Sequence, residues 1–87
     1  MLKVEFTKEA EKSLSDSEKH IAQRIFKKIR WLAENSEQIN HIPLKGKFAE
    51  TYKLRVGSYR VVYIIKEDSP KILSIILVGH RREIYKK

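Results

Sequence analysis

Two runs of alternating residues separated only by Gly57-Ser58 constrain this chain more than any other feature. Tyr52, Leu54 and Val56 alternate with Lys53 and Arg55. Beyond the pair, Tyr59, Val61, Tyr63 and Ile65 alternate with Arg60, Val62 and Ile64. A period of two marks a β-strand, and a Gly-X pair suits a two-residue type II′ hairpin turn. Such a turn fixes the register: Val56 pairs with Tyr59, Arg55 with Arg60, Leu54 with Val61, Lys53 with Val62 and Tyr52 with Tyr63. Paired residues share a face of the sheet. Tyrosines and aliphatic residues therefore line one face, fit to pack as core, while Lys53, Arg55 and Arg60 project together from the other.

The remaining elements arrange themselves around this hairpin. Leu2, Val4 and Phe6 alternate with Lys3 and Glu5, as in a short half-buried strand. Thr7 suits the N-cap of a short helix through about Leu14, with Ala10 and Leu14 on one side. Ser15-Asp16-Ser17-Glu18 has capping-box spacing and predicts the start of a second helix. Ile21, Ile25, Ile29 and Leu32, with Ala22, Phe26 and Ala33, recur at helical spacing to about Asn35 and read as core. Lys19, Arg24, Lys27, Lys28 and Arg30 decorate the rest of that helix, with Trp31 at the margin of its apolar stripe.

Residues 36–47 hold Asn40, Pro43 and Gly46 and read as a loop. Glu67-Asp68-Ser69-Pro70 turns the chain into Ile72–Val78, apolar except for Ser74, as expected of a strand covered on both faces and ended by Gly79. The expected architecture is α+β. A strand, two helices and a three-stranded antiparallel meander form a single domain over residues 1–87, with both helices packed on one face of the sheet.

A chain of 87 residues has room for one core, and 41% hydrophobic residues with three Gly and two Pro argue against disorder. The absence of cysteine excludes disulfides, thiolate metal sites and a Cys nucleophile. The N-terminus alternates apolar and charged residues, with no apolar run suited to a signal peptide or a membrane span, so a cytoplasmic protein is expected. The formal charge is +8 and unevenly placed: residues 1–44 carry eight basic and seven acidic side chains, residues 45–87 eleven and four. A polyanion is the natural partner of the second half, the alternative being a basic surface that only aids solubility.

Like charges directly opposite across a ladder destabilise it, so an Arg55–Arg60 pair beside Lys53 needs a compensating role. A bound phosphate supplies one, through charge-assisted and often bidentate hydrogen bonds. The other reading is a solvated basic face screened by salt. His80 and Arg81 follow the last strand, with Tyr85 four residues beyond Arg81. A His with Tyr, Lys and Arg supplies acid–base groups and charge stabilisation without a metal or other cofactor. No carboxylate set or His pair has metal-ligand spacing, and His20, His41 and His80 lie far apart in sequence.

The segments Leu44-Lys45-Gly46, Tyr52 to Tyr63 and Val78-Gly79-His80-Arg81-Arg82-Glu83-Ile84-Tyr85 together resemble the RelE side of the RelE/ParE toxin superfamily. The order of elements is similar over nearly the whole chain. The resemblance implies a small ribonuclease toxin that enters the ribosomal A site and cuts messenger RNA there, silenced by a cognate antitoxin. It also implies that Lys53, Arg55, Arg60, Arg81 and Tyr85 serve the reaction. Arg55 and His80 stand where the best-known member has Lys, and relatives with His near position 80 use it in acid–base work. Tyr85 or His80 is then the proton-transfer group, and Lys45, Lys47, Arg82 and Lys86 are further RNA-binding candidates. Two alternatives share this fold: a ParE-like inhibitor of DNA gyrase without nuclease activity, and a non-catalytic RNA-binding module.

Overall fold

The computed structural model describes residues 2–43, 51–67 and 70–80. Within them the elements are β1 (Lys3–Phe6), α1 (Lys8–Asp16), α2 (Lys19–Asn35), β2 (Ile42–Pro43), β3 (Tyr52–Val56), β4 (Tyr59–Lys66) and β5 (Ile72–His80). The strands form one five-stranded sheet in the order β1-β5-β4-β3-β2. The β3–β4 register is the one the two-residue turn imposes, from Val56↔Tyr59 to Tyr52↔Tyr63. Gly57 makes the turn at φ 60°, a region that side chains with a Cβ rarely enter. The β4–β5 pair extends the hairpin into the antiparallel meander, and β1 adds to it in parallel, with Phe6 opposite Ile75.

The helices cover one face of this sheet. Ala10, Leu14, Ile25, Ile29, Leu32 and Ala33 interlock with Val61, Tyr63, Leu73, Ile75 and Val78, all 5% exposed or less. Thr7 caps α1, its Oγ1 accepting a hydrogen bond from the Ala10 amide at 3.1 Å. The same hydroxyl donates to the carbonyl of Ile76 at 2.7 Å, and the Thr7 amide donates to that of Ile75. These bonds hold an irregularity in β5. Val62 pairs with Leu77 but Tyr63 with Ile75, so Ile76 is an extra residue, a β-bulge whose carbonyl Thr7 satisfies.

Three local expectations are corrected. The Ser15–Glu18 capping box does not form, because α1 continues through Asp16 and Ser15 points its hydroxyl at the Lys12 carbonyl. Ser17 instead closes α1, its amide donating to the Leu14 carbonyl. Glu18, in extended geometry and with no side-chain cap bond, opens α2. The segment read as loop contributes β2, where Ile42 pairs with Lys53. Gly79 does not end β5: it pairs with Arg60, and the strand runs one residue further to pair His80 with Tyr59. No described helix is long and apolar enough to cross a membrane.

Candidate active site on the sheet face away from the helices

Because β3 and β4 pair without a bulge, strand alternation sends Lys53, Arg55 and Arg60 to the face away from the helices. Arg55 and Arg60 stand directly opposite one another. On its other side Arg60 faces Gly79, so no side chain rises between the guanidinium and β5 there. Lys53 is flanked by Ile42 and Val62. Val62 is fully buried and packs with Ile76 and Leu77, a small apolar floor separate from the main core. Arg55 is exposed; Lys53 and Arg60 are half-buried, and the Nε of Arg60 is buried.

The charge on this face is asymmetric. At its β1 end the Glu5 carboxylate accepts a hydrogen bond from Lys66 Nζ at 2.7 Å. That bond, with a second from Ser74, holds the Glu5 carboxyl below its ordinary range. A lysine there is neutralised. At the β3 end, among the described residues, no carboxylate pairs with Lys53 or Arg55. Three cations around an apolar floor with no such counter-charge on two of them suit the oxygens of a phosphodiester, which guanidinium groups hold by charge-assisted bonds.

The structure thus brings Lys53, Arg55 and Arg60 together. It does not bring His80 to them. Strand parity places His80 on the helix side, where its ring meets that of Tyr59 edge-on at 5.6 Å. There it borders a cavity of about 400 Å³ lined also by Ser13, Asp16, Ser17 and Glu18. Lys45, Lys47, Arg81, Arg82, Tyr85 and Lys86 lie outside the described residues.

One polar group close to this edge escaped the sequence reading. His41 Nε2 lies 2.7 Å from the carbonyl of Ser36, to which it donates, and Nδ1 lies within hydrogen-bond distance of the Tyr63 hydroxyl at 2.6 Å. The rings of Tyr52 and Tyr63 enclose it. Burial, and secondarily Tyr52, push the Tyr63 hydroxyl up to about 12. His41 therefore ties the end of α2 to the sheet and fixes the approach to β2, whose Ile42 sits beside Lys53. Its partners are 5 and 22 residues away and only the fold unites them.

The family model described as the ParE toxin of type II toxin–antitoxin systems (parDE) matches residues 4–85. Among solved structures, a chain of the RelBE2 toxin–antitoxin complex from Mycobacterium tuberculosis is 27% identical, with TM-score 0.78 over 92% of this chain and 98% of that one. A chain of the archaeal RelE–RelB complex from Pyrococcus horikoshii is 25% identical, with TM-score 0.71 over 92% and 94%. YafQ from Escherichia coli shares the fold at TM-score 0.78 over 98% and 99%, with 12% identity. No curated protein sequence matches. With all but the chain's extreme ends matched by the family model, and with the strand, helix pair and sheet of its structural relatives, the chain belongs to the ParE toxin family of type II toxin–antitoxin systems, within the RelE/ParE superfamily.

Proposed function

We propose that this toxin is a cytoplasmic, ribosome-dependent and metal-independent endoribonuclease that inhibits translation by cutting messenger RNA, and that a cognate antitoxin restrains it. The observation that carries the reading is the Arg55–Arg60 pair with Lys53 beside it, like charges gathered on one face of the hairpin in an arrangement that a bound phosphate would favour. The toxin–antitoxin complexes among its structural relatives support the antitoxin partner.

In the reaction, the RNA 2′-hydroxyl gives its proton to water as its oxygen attacks the adjacent phosphorus. The bond to the 5′-oxygen breaks, leaving a 2′,3′-cyclic phosphate and a free 5′-hydroxyl. Arg60 holds the phosphate, while Lys53 and Arg55 stabilise the negative charge that accumulates on its oxygens. A cationic set of this kind takes the part that a divalent ion plays elsewhere, and it repels one. By the family resemblance Arg81 adds a second grip on the phosphate and Tyr85 the proton for the leaving oxygen. His80, on the far side of the sheet, is left out of this scheme. DNA lacks the nucleophile.

The family model's description favours a second reading, a ParE-like inhibitor of DNA gyrase. Mapping 5′ ends in cells induced without antitoxin separates the two. New 5′-hydroxyl ends within coding sequence are expected. Growth arrest with intact messages and inhibited gyrase would establish the second reading instead.

A further inference from the structure

The half-by-half charge count conceals a second cationic surface. Along α2, Lys19, Arg24, Lys27, Lys28 and Arg30 face a single acid, Glu34, while the acids of α1 balance them in the sum. Among the described residues only Arg30 of these five is ion-paired, to Glu34 at 3.2 Å. Arg24, Lys28 and Trp31 follow one another at helical spacing on one flank, a stripe about 10 Å long.

Two of the three are held in place. Lys28 Nζ sits 4.1 Å above the centroid of the Trp31 ring. Arg24 lies against the β3–β4 turn, its terminal nitrogen 3.3 Å from where a Cβ on Gly57 would stand. Trp31 is 39% exposed. The helix covers the face of the sheet opposite to Arg55 and Arg60, so a strand held by those residues cannot also lie along α2.

We infer that this flank of α2 is a second RNA-binding surface, which grips the phosphate backbone of a base-paired RNA apart from the strand held at Arg55 and Arg60. Of the proposed function it takes only that RNA is the polymer. An acidic protein segment fits less well, because it would also need an apolar groove. The exposed ring on this flank is already covered by Lys28, and the other exposed aromatic of α2, Phe26, leans the opposite way onto Phe6. The cavity that Arg24 lines with Ile21, Ile25, Val56 and Tyr59 holds only about 180 Å³, below the roughly 300 Å³ of a ligand cleft, and ordered cations beside so small a pocket match a repeating phosphate backbone.

Trp31 is the sole tryptophan of the chain and a built-in reporter. A short blunt RNA duplex with a fluorescent label is titrated into the full-length protein. Anisotropy gives the affinity and Trp31 emission the location. Saturable binding with a change in Trp31 emission is expected. Arg24→Gln and Lys28→Gln should each lower the slope of log K against log[salt] by about 0.9, the value for one phosphate contact, and together weaken binding roughly tenfold at low salt. Gln is a good helix former, and thermal melts confirm that the variants fold.

Binding unchanged in the double variant would overturn the inference, as would duplex binding that leaves Trp31 emission unaltered, or polyglutamate binding as tightly through the same two residues. Arg60→Gln separates this from the active-site reading: duplex binding should survive it while message cutting is lost. If cutting survives, the active site falls and the α2 surface stands. If duplex binding vanishes in Arg60→Gln, the RNA lay on the face away from the helices and the inference falls alone.

Discussion

Replacing Arg55 with Gln isolates the repulsion on which the active-site reading depends. Arg55 is exposed, has no ion pair among the described residues and faces Arg60 directly, so the change removes a charge and little packing. Two guanidinium groups on paired strands can splay to about 7 Å apart, where like charges repel by ~0.6 kcal/mol in bulk water and ~2.4 kcal/mol at an effective dielectric of ~20. Exposure of Arg55 puts the pair near the lower bound, in line with the range of ~0.2–1 kcal/mol for cross-strand pairs. Arg55→Gln should therefore stabilise the free protein by about 0.5 kcal/mol at low salt, a rise of roughly 2–4 °C in Tm. The gain should shrink as salt shortens the screening length to ~3 Å at 1 M.

Cleavage should move the other way, falling about tenfold or more with the loss of a charge at the phosphate. Thermal melts across a salt series and message cleavage on the same preparations read both effects. A salt-independent loss of Tm with cleavage intact would falsify the reasoning, since it would make the pair a stabilising element of the hairpin and remove the reason for placing a phosphate there.

Thr7→Val removes both the cap of α1 and the bond to the Ile76 bulge, and should cost about 1–2 kcal/mol in urea melts. Tyr63 keeps its proton more tightly when folded, with its hydroxyl at about 12. Stability should thus fall as pH rises from the ordinary tyrosine range through that value, and Tyr63→Phe should flatten this alkaline limb. Glu5 is held below its ordinary range. Its contribution is present above that range and lost as pH falls through the lowered value, so Glu5→Gln should flatten the acid limb of the same melts.

The hairpin was legible because a two-residue turn leaves no freedom: once Gly57-Ser58 is taken as the turn, every cross-strand partner follows, and with them the company of Lys53, Arg55 and Arg60. The position of His80 was not. It depends on β5 continuing past Gly79 and on an extra residue at Ile76, and an almost unbroken apolar run has no period from which either could be read. A two-residue strand such as β2 is too short to show alternation. The junction of the helices went astray because Ser17 can close one helix as well as Ser15 can open another, and only the competing bond to the Lys12 carbonyl decides it.

The bulge at Ile76 acts as a phase shift. Before it, odd-numbered residues of β5 face the helices, as Leu73 and Ile75 do. After it, even-numbered ones do, as Val78 shows. A homologue that lacks the bulge can keep a small residue across from its counterpart of Arg60 only by deleting one position between residues 75 and 78. A gap there in an alignment would then mark conserved geometry, and position 7 would need only an acceptor for the Ala10 amide, so that Asp or Asn could replace the hydroxyl that now also donates to the bulge carbonyl.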